Sequence, residues 1–572
     1  MRGLPVVLLA WVLLSTLPVA ESWAATSPPA LFDAPAGVRA ASPGIPSRAT
    51  MRQRQVVTRL GLLTHPDGSP ALGAGDRVEL NLFGDASFSM TVTDVSRHAG
   101  GLTWIGPLDG VHLGSAALAL YDGALVGQVS MPGAVYRIGY ASDGTPVVEE
   151  IDQGAFPPEG HAVVPAGADA VARDDEMPQG ALDPANQVDV MVLYTANARI
   201  RAGGTAAMRA EVSLAIAATN QAYANNSLAQ RLRLVHASEI SIVETNDFNA
   251  DLNKLRTDAT VGWLRNAVRA DVVSLLVDNG AAAAFCGLGY VLTTNSPLFA
   301  PFGFSVVERT CASANLSFPH ELGHNMGGHH DPFVIGTDPT LSPYSHGFVD
   351  LVGKFRTIMA YNNQCAPFNC TRIPYFSTPN KTFNGRAIGA AATNDNSRTL
   401  SETANTVANL RTALTSPLAI TAAVNKPTFT VGQTLITSVS LDHPGGVAGA
   451  VDFYAGLLLP DGTAVFFTSV KITPTSGYAL GTITNFASYR PIATGVPLGA
   501  PFSGNIPSFF AYPRQAGDPT GGMAFFVLAL KTGALADGVL ATDELVSASL
   551  APFTFPAGSP ADAACAGAGC AP

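Results

Sequence analysis

Apolar and polar positions alternate along the first third of the chain. Val78, Leu80 and Leu82 alternate with Glu79 and Asn81, and Phe88, Met90 and Val92 with Ser89, Thr91 and Thr93. A period of two belongs to strands with one buried face. Asp122-Gly123 and Asp143-Gly144 lie between apolar runs and read as hairpin turns. Residues 57–165 therefore read as a β-rich unit. The stretch before it, 25–56, is rich in Ala, Pro and Ser and reads as disordered. The stretch after it, 166–187, reads as an exposed acidic linker. The period then changes. "VDVMVLYT" (188–195) is predominantly apolar, interrupted only by Asp189 before Thr195, and reads as a buried strand. Residues 205–226 carry Val212, Ile216 and Tyr223 near one helical face, and "RLRLVHASEISIV" alternates again from Arg231. Residues 260–269 read as a helix, "DVVSLLV" as a core strand, and "GLGYVL" and "FSVVER" as two short strands. Strands interleaved with helices predict a layered α/β unit over 188–414. After "NLRTALTSP" the β pattern returns. Leu435, Thr437, Val439 and Leu441 share one strand face, "LLLPDGTAVFF" is a hairpin, and "MAFFVLAL" is a buried strand. Residues 415–560 read as an all-β sandwich and 561–572 as a low-complexity tail.

Composition narrows the class. A chain of 572 residues accommodates two or three domains. Its net charge of −11 argues against nucleic acid or an acidic membrane surface as partner. Residues 1–24 have one Arg, an apolar run from Pro5 to Ala20, and a small-x-small site at Ser22-Trp23-Ala24. They read as a cleaved signal peptide, which predicts a secreted, extracellular protein; an uncleaved anchor is the alternative. No later run is long enough for a membrane span. The six cysteines, Cys286, Cys311, Cys365, Cys370, Cys565 and Cys570, are an even number in an exported chain and read as disulfides. Nearest-neighbour pairing is one of about 15 connectivities. No calcium-binding repeat occurs, so a structural Ca2+ is not indicated. Oligomeric state is not encoded in these patterns.

Four of the eleven histidines fall in "SFPHELGHNMGGHHDP", residues 317–332. On a helix, His320 and His324 lie about 40° apart around the axis and about 6 Å apart along it, so both can grip one ion from the same side. Glu321 points about 100° away from His320, poorly placed as a ligand and well placed to reach a water on the metal. A third ligand must come after the chain turns, and Gly327 supplies the turn. His329 and His330 both follow it.

The full pattern, His320-Glu321-x-x-His324-x-x-Gly327-x-x-His330, resembles the zinc box of the metzincin metallopeptidases. "TIMAY" (357–361) resembles their methionine turn, with Met359 as the methionine. The resemblance selects His330 over His329. It implies one catalytic Zn2+ on His320, His324 and His330, and an α/β catalytic domain with a mixed twisted sheet and long helices over 188–414. That domain would be flanked by a β-rich propeptide and a C-terminal sandwich. It also implies hydrolysis of protein or peptide substrates by a metal-activated water, with Glu321 as general base and acid. Asp331 resembles the buried structural carboxylate of the reprolysin branch. Tyr361 resembles the tyrosine that binds zinc or stabilises the transition state in astacins and serralysins, so the chain mixes branch markers. For Tyr361 a packed aromatic is the equal alternative. His346 reads as a surface or supporting residue, and His161 as isolated.

The segment before residue 188 contains no cysteine, which excludes a cysteine switch, and "LFGD" (82–85) reads as a strand ending in a turn. Processing is expected within 166–187. Cleavage beside acidic residues would need a cation in the substrate pocket, and Arg372 is one candidate. The rival reading is a secreted binding or adhesion protein with a non-catalytic metal site. The intact Glu321 speaks against it.

Overall fold

The computed structural model describes residues 28–35, 47–98, 101–165, 186–336, 338–412, 418–469, 477–541 and 544–556. The expected signal peptide, nearly all of the linker, the tail and Cys565 and Cys570 lie outside them.

The N-terminal part is built on a seven-stranded antiparallel sheet in the order Thr50–Gln55, Pro146–Ile151, Ala134–Tyr140, Ala124–Met131, Ser115–Tyr121, Gly101–Pro107, Asp94–His98. A separate hairpin, Arg77–Phe83 with Ala86–Thr91, turns Val78, Leu80, Leu82 and Met90 into one core with Trp104, Leu118 and Val129. Two strands lie inside the stretch expected to be disordered. Phe32–Asp33 pairs with Val57–Thr58, and Thr50–Gln55 is an outer strand of the large sheet. "TMRQRQ" has no apolar period because it is an edge, and edges carry charge. Arg52 pairs with Glu150 and stands over the Phe83 ring at 4.2 Å.

The middle part is a five-stranded sheet. Its strands are β1 (Gln187–Tyr194), β2 (Arg231–Glu239), β3 (Val272–Val277), β4 (Gly287–Gly289) and β5 (Phe304–Glu308), in the order β2-β1-β3-β5-β4. All neighbours are parallel except β4, which is antiparallel to β5. β3 is buried at every position, as a mostly apolar strand must be when both sheet faces are covered, and its one polar residue, Ser274, takes a hydrogen bond from Ser305 Oγ at 3.0 Å. The covering helices include α1 (Thr205–Asn225), α2 (Phe248–Thr257), α3 (Ala259–Val268), α4 (Arg309–Ala312), α5 (Ser317–Asn325) and α6 (Asn396–Val407). Disulfides join Cys286 to Cys311 and Cys365 to Cys370. The first ties β4 to α4, directly before α5.

The C-terminal part holds a three-stranded sheet and a larger one whose main strands include Ala450–Leu458, Thr463–Phe467, Gly521–Lys531 and Leu545–Phe555. Phe429, Leu435, Phe467, Phe525 and Phe553 fill the space between them. The other face of the larger sheet, with Phe466, Phe526 and Leu528, joins the core of the middle part, where Trp263 on α3 meets Phe526 edge-on at 6.2 Å. On its own side, the N-terminal sheet reaches α1 through Arg137, which pairs with Glu211 at 2.7 Å. Glu211 also takes Arg309 at 2.8 Å.

Candidate metal centre

The site begins with α5. The helix is buried along its length, so His320, Glu321 and His324 are shielded from water on all sides. It ends at Gly327, whose φ of +85° turns the chain back without side-chain strain and delivers His330 to the two helical histidines. The three Nε2 atoms lie 3.0–3.2 Å from one another. His320 Nδ1 donates to Ile358 O at 2.8 Å and His324 Nδ1 to Gly328 O at 2.7 Å. These bonds place the ring protons on Nδ1 and leave the Nε2 lone pairs facing one another. Burial holds His320 and His330 well below the usual histidine range and His324 down to about 4, so all three are neutral near pH 7. Three neutral imidazoles with their Nε2 atoms converging on one point fit one cation. Imidazole ligands at about 2.0–2.1 Å in a tetrahedron stand about 3.3 Å apart.

His329, the alternative third ligand, is turned away. It pairs with His346 through the backbone, and His346 Nδ1 donates to His330 O at 2.9 Å. Met359 lies beneath the site against Gly323, where a Cβ would come 2.5 Å from its Sδ. Asp331 joins the His330 loop to this turn, with Oδ2 accepting from Tyr361 N at 2.9 Å and Oδ1 from Phe333 N at 3.1 Å.

Glu321 is buried, and neither carboxylate oxygen has a hydrogen-bond partner among the described residues. β4 passes directly over it. A Cβ on Gly287 would fall 2.4 Å from Oε1, and one on Gly289 3.1 Å from Oε2. Burial, with Glu159 next in effect, raises the Glu321 carboxyl well above the usual range.

Glu159, Gly160 and His161 neighbour the site without any sequence motif. Residues 158–163, within the N-terminal unit expected over 57–165, lie along the free edge of β4, so that part reaches the metal centre. The Tyr361 hydroxyl is shared between Glu159 O at 2.7 Å and Gly160 O at 3.0 Å, while its ring packs on His330 at 4.3 Å. His161 is not isolated; its ring stands 5.8 Å from that of His330. Arg372 is buried and paired with Glu159 rather than facing an open pocket. Nothing in "FPPEGH" announced this placement beyond the stiff extended backbone that consecutive prolines favour.

Residues 184–377 match the family described as Metallo-peptidase family M12. A peptidyl-Asp metalloendopeptidase of Xanthomonas campestris pv. campestris is 31% identical over 312 residues, covering 52% of this chain and 70% of that protein. A protein of the same description from Stenotrophomonas maltophilia strain K279a is 35% identical over 234 residues, covering 39% and 52%. One from Pseudomonas aeruginosa is 32% identical over 203 residues, covering 32% and 34%.

Proposed function

The chain belongs to metallopeptidase family M12 and is a metalloendopeptidase, and from that premise we propose that it is a secreted zinc enzyme cutting proteins beside aspartate, with Glu321 as general base and acid. The carrying observation is a buried carboxylate without a hydrogen-bond partner among the described residues, one residue from His320, beside three imidazoles aimed at a common point. Zinc on His320, His324 and His330 supplies Lewis acidity and lowers the pKa of water. Glu321 takes the proton of the attacking water and passes it to the leaving amine, so no side-chain nucleophile is needed. Tyr361 holds its hydroxyl where backbone carbonyls of a strand along β4 arrive, which suits it to hydrogen-bond the reacting carbonyl. β4 is an edge strand whose carbonyls at Gly287 and Gly289 can pair an extended peptide.

The aspartate preference follows the name of the relatives and the cation Arg372 beside the site. The apolar N-terminal segment and the two disulfides support export. The N-terminal part is read as a propeptide and the C-terminal part as a β-sandwich fixed to the catalytic domain. A binding protein with a non-catalytic metal site gives way to family membership. The test is peptide-library cleavage by the purified chain, intact and after limited proteolysis within 166–185. Glu321→Ala and a chelated sample are run alongside. Loss of cleavage in both is expected; cleavage that survives either refutes the mechanism.

A further inference from the structure

We propose that Arg372 is the cation that reads the acidic side chain of a substrate, and that Glu159 fills its place from within the chain, so that the N-terminal part closes the site by imitating what the site binds. This rests on the preference for acidic residues proposed above.

Residues 158–163 form an added strand on the free edge of β4. Cys286 N donates to Pro158 O at 2.8 Å, Gly160 N to Gly287 O at 2.7 Å, Val163 N to Gly289 O at 2.9 Å and Val291 N to Val163 O at 3.0 Å. Addition to a sheet edge is a general way of holding an extended peptide. The strand crosses the metal centre closely. A Cβ on Gly160 would fall 2.7 Å from Leu288 Cδ1 and 3.0 Å from Gly287 O, so only glycine fits there without displacement.

At the crossing, Glu159 turns its side chain inward. It is 1% exposed, and Arg372 is 2% exposed. Glu159 Oε1 accepts from Arg372 Nη1, from Ser317 Oγ at 2.8 Å and from Asn315 Nδ2 at 3.2 Å. Arg372 is fixed behind it. Nη1 donates to Asn315 O at 2.8 Å, Nη2 to Ala360 O at 3.3 Å, and its backbone N to Gln153 Oε1 at 2.8 Å. Among the described residues, the only ion pair of Arg372 is with Glu159. The pocket is therefore a prebuilt carboxylate receptor, made of a guanidinium, a hydroxyl and an amide. The carboxylate it pairs with among the described residues is delivered by a strand outside the catalytic sheet proper. The same residue presents its carbonyl to Tyr361, beside the three histidines. The fit is partial, since Glu159 Oε2 and Arg372 Nε have no hydrogen-bond partner among the described residues. Withdrawal of the strand leaves a buried cation unpaired, and an incoming acidic side chain meets that need.

The test uses the full chain stripped of metal, so that binding is read without turnover. Two labelled peptides, identical except for a central Asp or Asn, are followed by fluorescence polarisation. Wild type is expected to bind the Asp peptide only weakly, in large excess, and the Asn peptide not at all. Glu159→Gln is expected to bind the Asp peptide about 30-fold or more tighter than the Asn peptide, and adding Arg372→Gln is expected to erase the difference. Equal binding of both peptides by Glu159→Gln, or a preference that survives Arg372→Gln, overturns the proposal. A second measurement needs no variant. Excess Asp peptide should speed hydrogen exchange at the Gly160 and Val163 amides of wild type, and the Asn peptide should not; equal or absent effects overturn the proposal. If the zinc-loaded, proteolysed chain cuts beside Asp while these measurements fail, the fault lies here alone. If it cuts elsewhere, the substrate reading fails and this proposal with it.

Discussion

A single methyl group tests the placement of Glu321. Gly287 lies in β4 with an ordinary backbone, so alanine meets no conformational penalty there; its obstacle is Glu321. The new Cβ would stand 2.4 Å from Oε1, 2.7 Å from Cγ and 2.8 Å from Cδ, where ordinary contact starts at 3.4 Å. The carboxylate must retreat by about 1 Å, and a misplacement of that size costs about 100-fold in rate when the displaced group is catalytic. The overpacking itself costs about 1–3 kcal/mol of stability. Gly289→Ala is the internal control, since its nearest approach to the carboxylate is 3.1 Å and asks for a shift several times smaller. In a fluorogenic-peptide assay on the processed enzyme, Gly287→Ala should lower kcat by about two orders of magnitude while zinc content stays at one per chain. Gly289→Ala should lose far less. Equal activity of Gly287→Ala and wild type refutes the base assignment, and loss of zinc moves the defect to the histidines.

Glu321→Gln should keep its metal and lose about 10²–10⁴ in turnover, read by metal analysis beside the peptide assay. With zinc about 1,000-fold above its dissociation constant, binding adds about 4 kcal/mol of stability, so a chelator should lower the melting temperature. His330→Gln should melt alike with and without zinc. Burial, helped by Arg209, holds His236 down to about 3. The unfolded chain takes up that proton first, so this contribution to stability is complete above about pH 6.5 and falls below it by about 1.4 kcal/mol per pH unit. Urea titrations should show the slope in wild type and one proton less of it in His236→Gln. Replacing Cys286 and Cys311 by alanine opens a cross-link 25 residues long and should cost about 3 kcal/mol, seen as a lower urea midpoint.

Legibility followed periodicity. The apolar run at 188–195 and the strand at Gln187–Tyr194 coincide almost residue for residue, as do the helix read over 205–226 and Thr205–Asn225. The histidine spacing was legible because a helix and one glycine turn are local geometry. Short polar helices such as α2 and α6 went unread, since "FNADLNKLRT" and "NSRTLSETANTV" carry few apolar positions and are held by caps, Asp247 on the first and Asp395 on the second. The outer strand Thr50–Gln55 was hidden by its charges. Glu159 was invisible for a different reason. Its partners, Asn315, Ser317 and Arg372, lie more than 150 residues away, and no local pattern encodes a contact of that span.

The larger C-terminal sheet is a party wall. Phe525 and Phe467 face one room, Phe526 and Phe466 the other, and neither face can be vacated without opening a core. A module shared in this way cannot be traded like a cassette or swung like an arm. Glu239 Oε1 also takes the backbone N of Gly522 at 3.1 Å, so β2 is pinned to that wall. The catalytic sheet is thus braced on the side away from β4, and all the freedom needed to admit a substrate falls to the opposite edge. Were the N-terminal part released as proposed, it would come away like a cover from a fixed bench: the histidines and Glu321 would stay where they are, and Arg372 would lose Glu159 and Gln153 but keep Asn315 O and Ala360 O.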